Sequence, residues 1–129
     1  MQEILISSID AERIQNCIEK ARLGGLKAPV NLMPLINELN RARKVKPDEM
    51  PRDVVTMNSI VSLLNHKNKQ VVKIQIVYPQ DADIAKHKVS IFAPVGTALI
   101  GYRKGDKVQW NTPAGSIELE ILDILNELD

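Results

Sequence analysis

A chain of 129 residues with 44% hydrophobic content has room for one domain, or one domain carrying a short appendage, around a modest core. Its aromatic side chains are confined to Tyr78, Phe92, Tyr102 and Trp110, so the core is predicted to consist of Ile, Leu and Val, and stacked base-binding platforms are excluded. A formal net charge of +1 excludes strong global attraction to nucleic acid or to an anionic membrane.

The first eight residues, Met-Gln-Glu-Ile-Leu-Ile-Ser-Ser, hold no basic segment leading into a long apolar run and so do not read as a secretory signal. The longest uncharged stretch, Val89 to Tyr102, is too short to span a bilayer and is broken by Pro94, Gly96 and Gly101. A single cysteine, Cys17, lies among helical apolar positions, reads as a packed side chain rather than a reactive thiol, and fits a reducing compartment. The expectation is a cytoplasmic protein without a membrane partner.

In chain order, Ser7 or Ser8 can cap a helix with Asp10 in its first turn, and Ala11, Ile14, Cys17, Ile18 and Ala21 then recur at helical spacing. Gly24-Gly25 stops it. A second helix can open with Asn31 as cap and Pro34 in its first turn, carrying Leu32, Leu35, Ile36, Leu39 and Ala42 as its apolar positions. Two helices of roughly 12 to 15 residues around a short Gly-containing loop read as an antiparallel hairpin in which each covers the other's stripe. The second helix ends in Arg41, Arg43, Lys44 and Lys46, cations favourably placed at a helix C-terminus and expected to form a solvated face.

Pro47 and Pro51 break the helical pattern. The runs Val54 to Leu64, Gln70 to Val77, Val89 to Ala93, Lys107 to Asn111 and Ser116 to Leu122 are then rich in strand formers. His66-Lys67-Asn68-Lys69, Lys104-Gly105-Asp106 and Thr112-Pro113-Ala114-Gly115 supply turns between them, and Thr97 to Ile100 has the length of about one helical turn. The predicted class is α+β: a helical hairpin over residues 1–47, then an antiparallel sheet with one short helix over residues 48–129.

The segment Val89-Ser-Ile-Phe-Ala-Pro-Val-Gly-Thr-Ala-Leu-Ile-Gly-Tyr-Arg-Lys-Gly-Asp-Lys-Val, continuing to Thr112-Pro113-Ala114-Gly115, resembles the C-terminal signature of the Gre transcription elongation factors. Ser90, Pro94, Gly96, Ala98, Leu99, Gly101, Gly105, Asp106, Pro113 and Gly115 fall in that family's order and spacing. Upstream, Met50-Pro51-Arg52-Asp53-Val54-Val55-Thr56-Met57-Asn58-Ser59 resembles the branch of regulators of nucleoside diphosphate kinase, which has a shortened hairpin. The resemblance implies an FKBP-like C-terminal domain that grips the rim of the secondary channel of bacterial RNA polymerase while the hairpin points into the channel. It places polymerase binding on Phe92, Ala93, Pro94, Val95 and Gly96, where active Gre relatives often carry a polar pair before the signature proline.

In Gre factors two acidic residues at the hairpin tip help hold a magnesium ion that activates water for transcript cleavage, chemistry that needs hard carboxylate ligands. Here Lys20 through Asn37 contains no Asp or Glu, and the expected tip carries Lys20, Arg22 and Lys27. Helices this short also reach only roughly 20 Å. The sequence therefore predicts a transcription regulator that occupies the channel and competes with Gre factors, with no catalytic residue, no metal site, no cofactor and no strong direct nucleic-acid binding.

Other candidates read as structural. Asp48, Glu49 and Asp53 fall in a solvated connector, and His66 and His87 lie in polar stretches without the spaced ligands of a zinc site. Trp110 alternates with Val108 along a strand and is expected to be core or half-buried. Charge is uneven: Lys20, Arg22, Lys27, Arg41, Arg43, Lys44, Lys46 and Arg52 face only Glu38, Asp48 and Glu49, whereas Lys107 faces six acids between Gly105 and Asp129. That polarity can orient a protein on a charged partner. Two further readings remain: a peptidyl-prolyl isomerase, disfavoured by scattered aromatics, and a generic protein or nucleic-acid interaction module using Arg41, Arg43, Lys44 and Lys46.

Overall fold

The computed structural model describes residues 4–24, 32–113 and 115–126, with Asn111 and Thr112 described by backbone alone. Strand β1 (Leu5–Ser7) leads directly into helix α1 (Ser8–Arg22). Ser7 is the cap, its Oγ accepting the Asp10 N–H at 3.0 Å, and Ile14, Cys17 and Ile18 form the buried stripe. Helix α2 (Met33–Arg41) has nine residues, shorter than the 12 to 15 expected, and opens at Leu32 without a side-chain cap, with Pro34 in its first turn. The proposed cap Asn31 lies outside the described residues. The α2 C-terminus is closed by Lys44, whose Nζ donates to the carbonyls of Leu39 and Ala42.

A short strand, β2 (Arg43–Val45), runs parallel to β1 in a two-stranded sheet that the sequence pattern did not disclose, because three residues are too few to show a period. The main sheet contains β3 (Ile60–Asn65), β4 (Gln70–Val77), β5 (Lys88–Ser90), β6 (Lys107–Thr112) and β7 (Gly115–Leu125), in the order β5-β4-β3-β7-β6. Four of these strands form antiparallel pairs, but β5 pairs parallel to β4, so the expected all-antiparallel sheet is mixed at one edge. The chain has time to reverse because Pro79–Asp81 and Ile84–Lys86 form two short 3-10 turns between β4 and β5. Leu122 is the extra residue where the β3–β7 register shifts between Ser62 and Leu63, a bulge that bends the long strand.

The predicted run Val54 to Leu64 is broken. Val54 makes an isolated bridge with Arg103, while Thr56 to Ser59 turns, with Asn58 at φ 69°, a left-handed conformation that Asn tolerates well. The Thr56 N–H donates to Ser59 Oγ at 2.9 Å, a local bond that competes with strand pairing. Helix α3 (Pro94–Leu99) follows β5, beginning three residues before the expected turn at Thr97.

One continuous apolar core joins these parts: Ile14, Ile18, Leu35 and Leu39 of the helices pack with Val61, Leu63, Ile76, Ile91, Leu99 and Ile121. It is aliphatic, as the composition required, with Phe92 and Tyr78 as its buried aromatics. Gly101 joins the N-terminal strand to the segment after α3. Its carbonyl accepts the Leu5 N–H at 3.2 Å, its φ is +84°, and a Cβ there would stand 2.8 Å from that of Ile4. No helix among the described residues is long and apolar enough to cross a membrane.

Candidate functional site

The segment from Ser90 to Thr97 is locked by its own short side chains. Phe92 N–H donates to Ser90 Oγ at 3.0 Å, Ala93 N–H donates to the Ser90 carbonyl at 2.9 Å, and Thr97 Oγ1 donates to the Ile91 carbonyl at 2.8 Å. Ile91 N–H in turn donates to the Val77 carbonyl at 2.9 Å, tying the loop to β4. Gly96 is required by contact rather than by dihedral angle: a Cβ there would lie 2.5 Å from the Ser90 carbonyl oxygen. A rigid shoulder results, with Pro94 exposed at its crest, Ala93 and Val95 half-buried, and Phe92 and Gly96 buried.

Beside this shoulder lies a cleft of about 460 Å³, walled by Leu32, Leu35 and Glu38 of the α2 region, by Phe92 and Pro94, and by Trp110 of β6. Trp110 is half-buried against the core, as its alternation with Val108 required, yet it also forms one wall of the cleft. The fold thus brings Phe92 and Trp110, apart in sequence, to one place. Only the path of the chain could show this, because α2, α3 and β6 meet through tertiary packing. Glu38 is the carboxylate at the rim; it is paired with Arg41 Nε at 2.9 Å, and Arg41 also donates to the Tyr102 hydroxyl at 3.0 Å. Burial pushes the Tyr102 phenol upward, assisted by the Glu38 charge, so it remains protonated. An apolar cleft with a neutralised rim can seat a side chain of a partner.

The other sequence candidates fall elsewhere. Lys20 and Arg22 are exposed on the last turn of α1, with Arg22 3.5 Å from Glu19, and Lys27 lies outside the described residues. Asp48, Glu49 and Asp53 are exposed, and no group of three metal-ligating side chains occurs among the described residues. Near His66 in the sequence stands no spaced ligand of the zinc type, yet a carboxylate does meet it in the fold. The β3–β7 pairing supplies one from far along the chain, putting His66 Nε2 2.8 Å from Glu120 Oε1. Of the basic cluster, Arg41 and Lys44 are engaged within the fold as described, whereas Arg43 and Lys46 are exposed.

The family model for transcription elongation factor, GreA/GreB, C-term, matches residues 50–126, a span that contains the shoulder, the Trp110 wall and the whole five-stranded sheet. This chain belongs to the GreA/GreB family. Among its GreA/GreB-related proteins, the regulator of nucleoside diphosphate kinase of Escherichia coli (strain K12) is 40% identical over 122 residues, covering 94% of this chain and 88% of that protein. Transcription elongation factor GreA of Pelobacter propionicus is 38% identical over 96 residues, covering 74% of this chain and 61% of GreA. A solved structure, the prokaryotic transcription elongation factor GreA/GreB from Nitrosomonas europaea, matches with TM-score 0.78 and 38% identity, covering 98% of this chain and all of that one. The named GreA/GreB relatives are regulators and elongation factors.

Proposed function

We propose that this GreA/GreB-family chain binds bacterial RNA polymerase at the rim of its secondary channel, presents its α1–α2 arm as a short antiparallel hairpin toward the channel, and competes with Gre factors without stimulating transcript cleavage. The observation that carries the docking reading is the locked shoulder Phe92 to Gly96. Its backbone is held by three local bonds and by one to Val77 of β4, so little conformational entropy is lost when Pro94 meets a partner. The adjoining cleft supplies apolar area for the same contact. Ala93 replaces polarity with burial at the crest, so docking here depends more on apolar contact than on hydrogen bonds.

The absence of any carboxylate from Lys20 through Asn37 supports occupancy without cleavage, since a magnesium ion bound there would face cations instead of oxygen ligands. Fifteen residues give α1 a length of about 22 Å. The division into a hairpin over residues 1–47 and an FKBP-like unit over residues 48–129 belongs to this reading. The experiment is a pull-down of purified core RNA polymerase by the tagged protein, followed by addition of excess protein to a Gre-stimulated cleavage reaction. Binding and suppression of cleavage are expected; absence of binding by the folded protein would refute the proposal.

A further inference from the structure

Asp10 joins α1 to the sheet by two bonds that the sequence does not announce. Its Oδ2 accepts the Met57 N–H at 3.2 Å and its Oδ1 accepts the Tyr78 hydroxyl at 3.3 Å, partners 47 and 68 positions away. Both donors are themselves fixed. Met57 sits in the Thr56–Ser59 turn, which is held by the Asn58 N–H to the Ile76 carbonyl at 2.6 Å and by Asn126, whose amide oxygen accepts from Ser59 and whose Nδ2 donates to the Arg52 carbonyl at 3.0 Å. Tyr78 is buried, and burial together with the Asp10 charge raises its phenol far above the ordinary range, so its hydroxyl stays a donor.

An open cleft of about 550 Å³ separates Asp10 and Arg13 from Asp48, Arg52 and Asn126. The apolar stripe Ile14, Cys17 and Ile18 continues the same face from Asp10, one and two turns further along α1, but apolar contact is non-directional and tolerates small tilts. Directional bonds at the base are what remain to select one angle.

We propose that Asp10 is a positioning residue, whose bonds to Met57 and Tyr78 set the tilt of α1 and so the place to which the exposed Lys20–Arg22 end is delivered when the shoulder docks. This rests on the docking reading above. Over about 22 Å of helix, a tilt of about 10° at the base displaces the far end by about 4 Å, more than the length of a hydrogen bond. Asp10→Ala removes both acceptors, while keeping the Asp10 backbone bond to Ser7; an amide would not serve, because its N–H₂ could donate to the Tyr78 oxygen. Tyr78→Phe deletes one donor to Asp10, together with the hydroxyl's contact with Arg13, and leaves the Met57 bond in place.

The test compares the full chain with both variants at a temperature where all are folded. Residual dipolar couplings of α1 relative to β3, β4 and β7 report its tilt in the free protein. Equilibrium binding to core polymerase and suppression of Gre-stimulated cleavage are then measured separately. The expected result is a changed or broadened α1 orientation in Asp10→Ala, polymerase affinity within about twofold of the parent, and suppression weakened by about fivefold or more, with Tyr78→Phe intermediate. Loss of stability alone would not separate affinity from suppression in this way. Couplings of α1 in Asp10→Ala identical to those of the parent would overturn the inference, as would unchanged suppression at equal affinity. Failure of the parent itself to bind polymerase would refute the docking reading, while the couplings would still decide whether Asp10 sets the tilt.

Discussion

Gly96→Ala should destabilise the protein even though it adds a better helix former to a helix. Alanine gains up to about 1 kcal/mol over glycine in a helix interior. Against this, the new Cβ would stand 2.5 Å from the Ser90 carbonyl oxygen, about 1 Å inside an ordinary contact of about 3.5 Å. The carbonyl cannot retreat freely, because it accepts the Ala93 N–H and the next residue is tied to Val77. Overpacking costs about 1–3 kcal/mol, and a 1 Å overlap with a tethered backbone oxygen belongs in the upper half of that range, so after a helix gain of about 1 kcal/mol the net loss is about 1–2 kcal/mol. For a chain of this size that lowers the melting temperature by about 3–10 °C and shifts the urea midpoint without changing the slope. Ala98→Gly in the same short helix provides the comparison: it too should destabilise, by about 1 kcal/mol, through propensity. Two opposite substitutions, Gly to Ala and Ala to Gly, would then both lower stability. A Gly96→Ala protein as stable as the parent would refute the argument that close approach fixes this glycine, and with it the rigidity assigned to the shoulder.

Replacing Pro94 and Val95 together by Glu should abolish polymerase binding in pull-down while leaving the circular dichroism spectrum intact; unchanged binding by the folded variant would move docking elsewhere. In a backtracked elongation complex at neutral pH the protein should add nothing to intrinsic RNA shortening, and installing acids by Leu26→Asp with Lys27→Glu should leave it inactive if reach as well as charge is lacking. Gly101→Ala should cost about 2–3 kcal/mol in urea denaturation, since it combines a positive φ with a 2.8 Å contact to Ile4. Burial raises the Asp10 carboxyl above its ordinary value, so between the ordinary pKa of 3.8 and the native one the folded state holds a proton that the unfolded state has lost. The contribution of Asp10 to stability therefore grows as pH falls through that window and shrinks as it rises. The difference in urea midpoint between the parent and Asp10→Asn should move in the parent's favour on acidification; movement in the other direction would show that the hydrogen bonds and Arg13 outweigh burial.

Period and punctuation in the sequence determined much of this protein. The α1 stripe, its Ser7 cap and the Gln70–Val77 strand follow from local spacing and from side chains that bond their own backbone, and those forces act over a few residues. The spacing of Ser90, Pro94 and Gly96 carried the family resemblance, and the locked turn explains why those residue types stand there. What the sequence could not determine are relations between distant segments. The parallel strand β5, the β1–β2 pair, the break at Asn58, the His66–Glu120 contact, the cleft between α2 and Trp110 and the hold of Met57 and Tyr78 on Asp10 all depend on how the curved sheet and the helices share one core. Apolar burial specifies that such surfaces meet but is non-directional, so partners and angles are settled only when the whole chain has packed and every buried donor has found its acceptor.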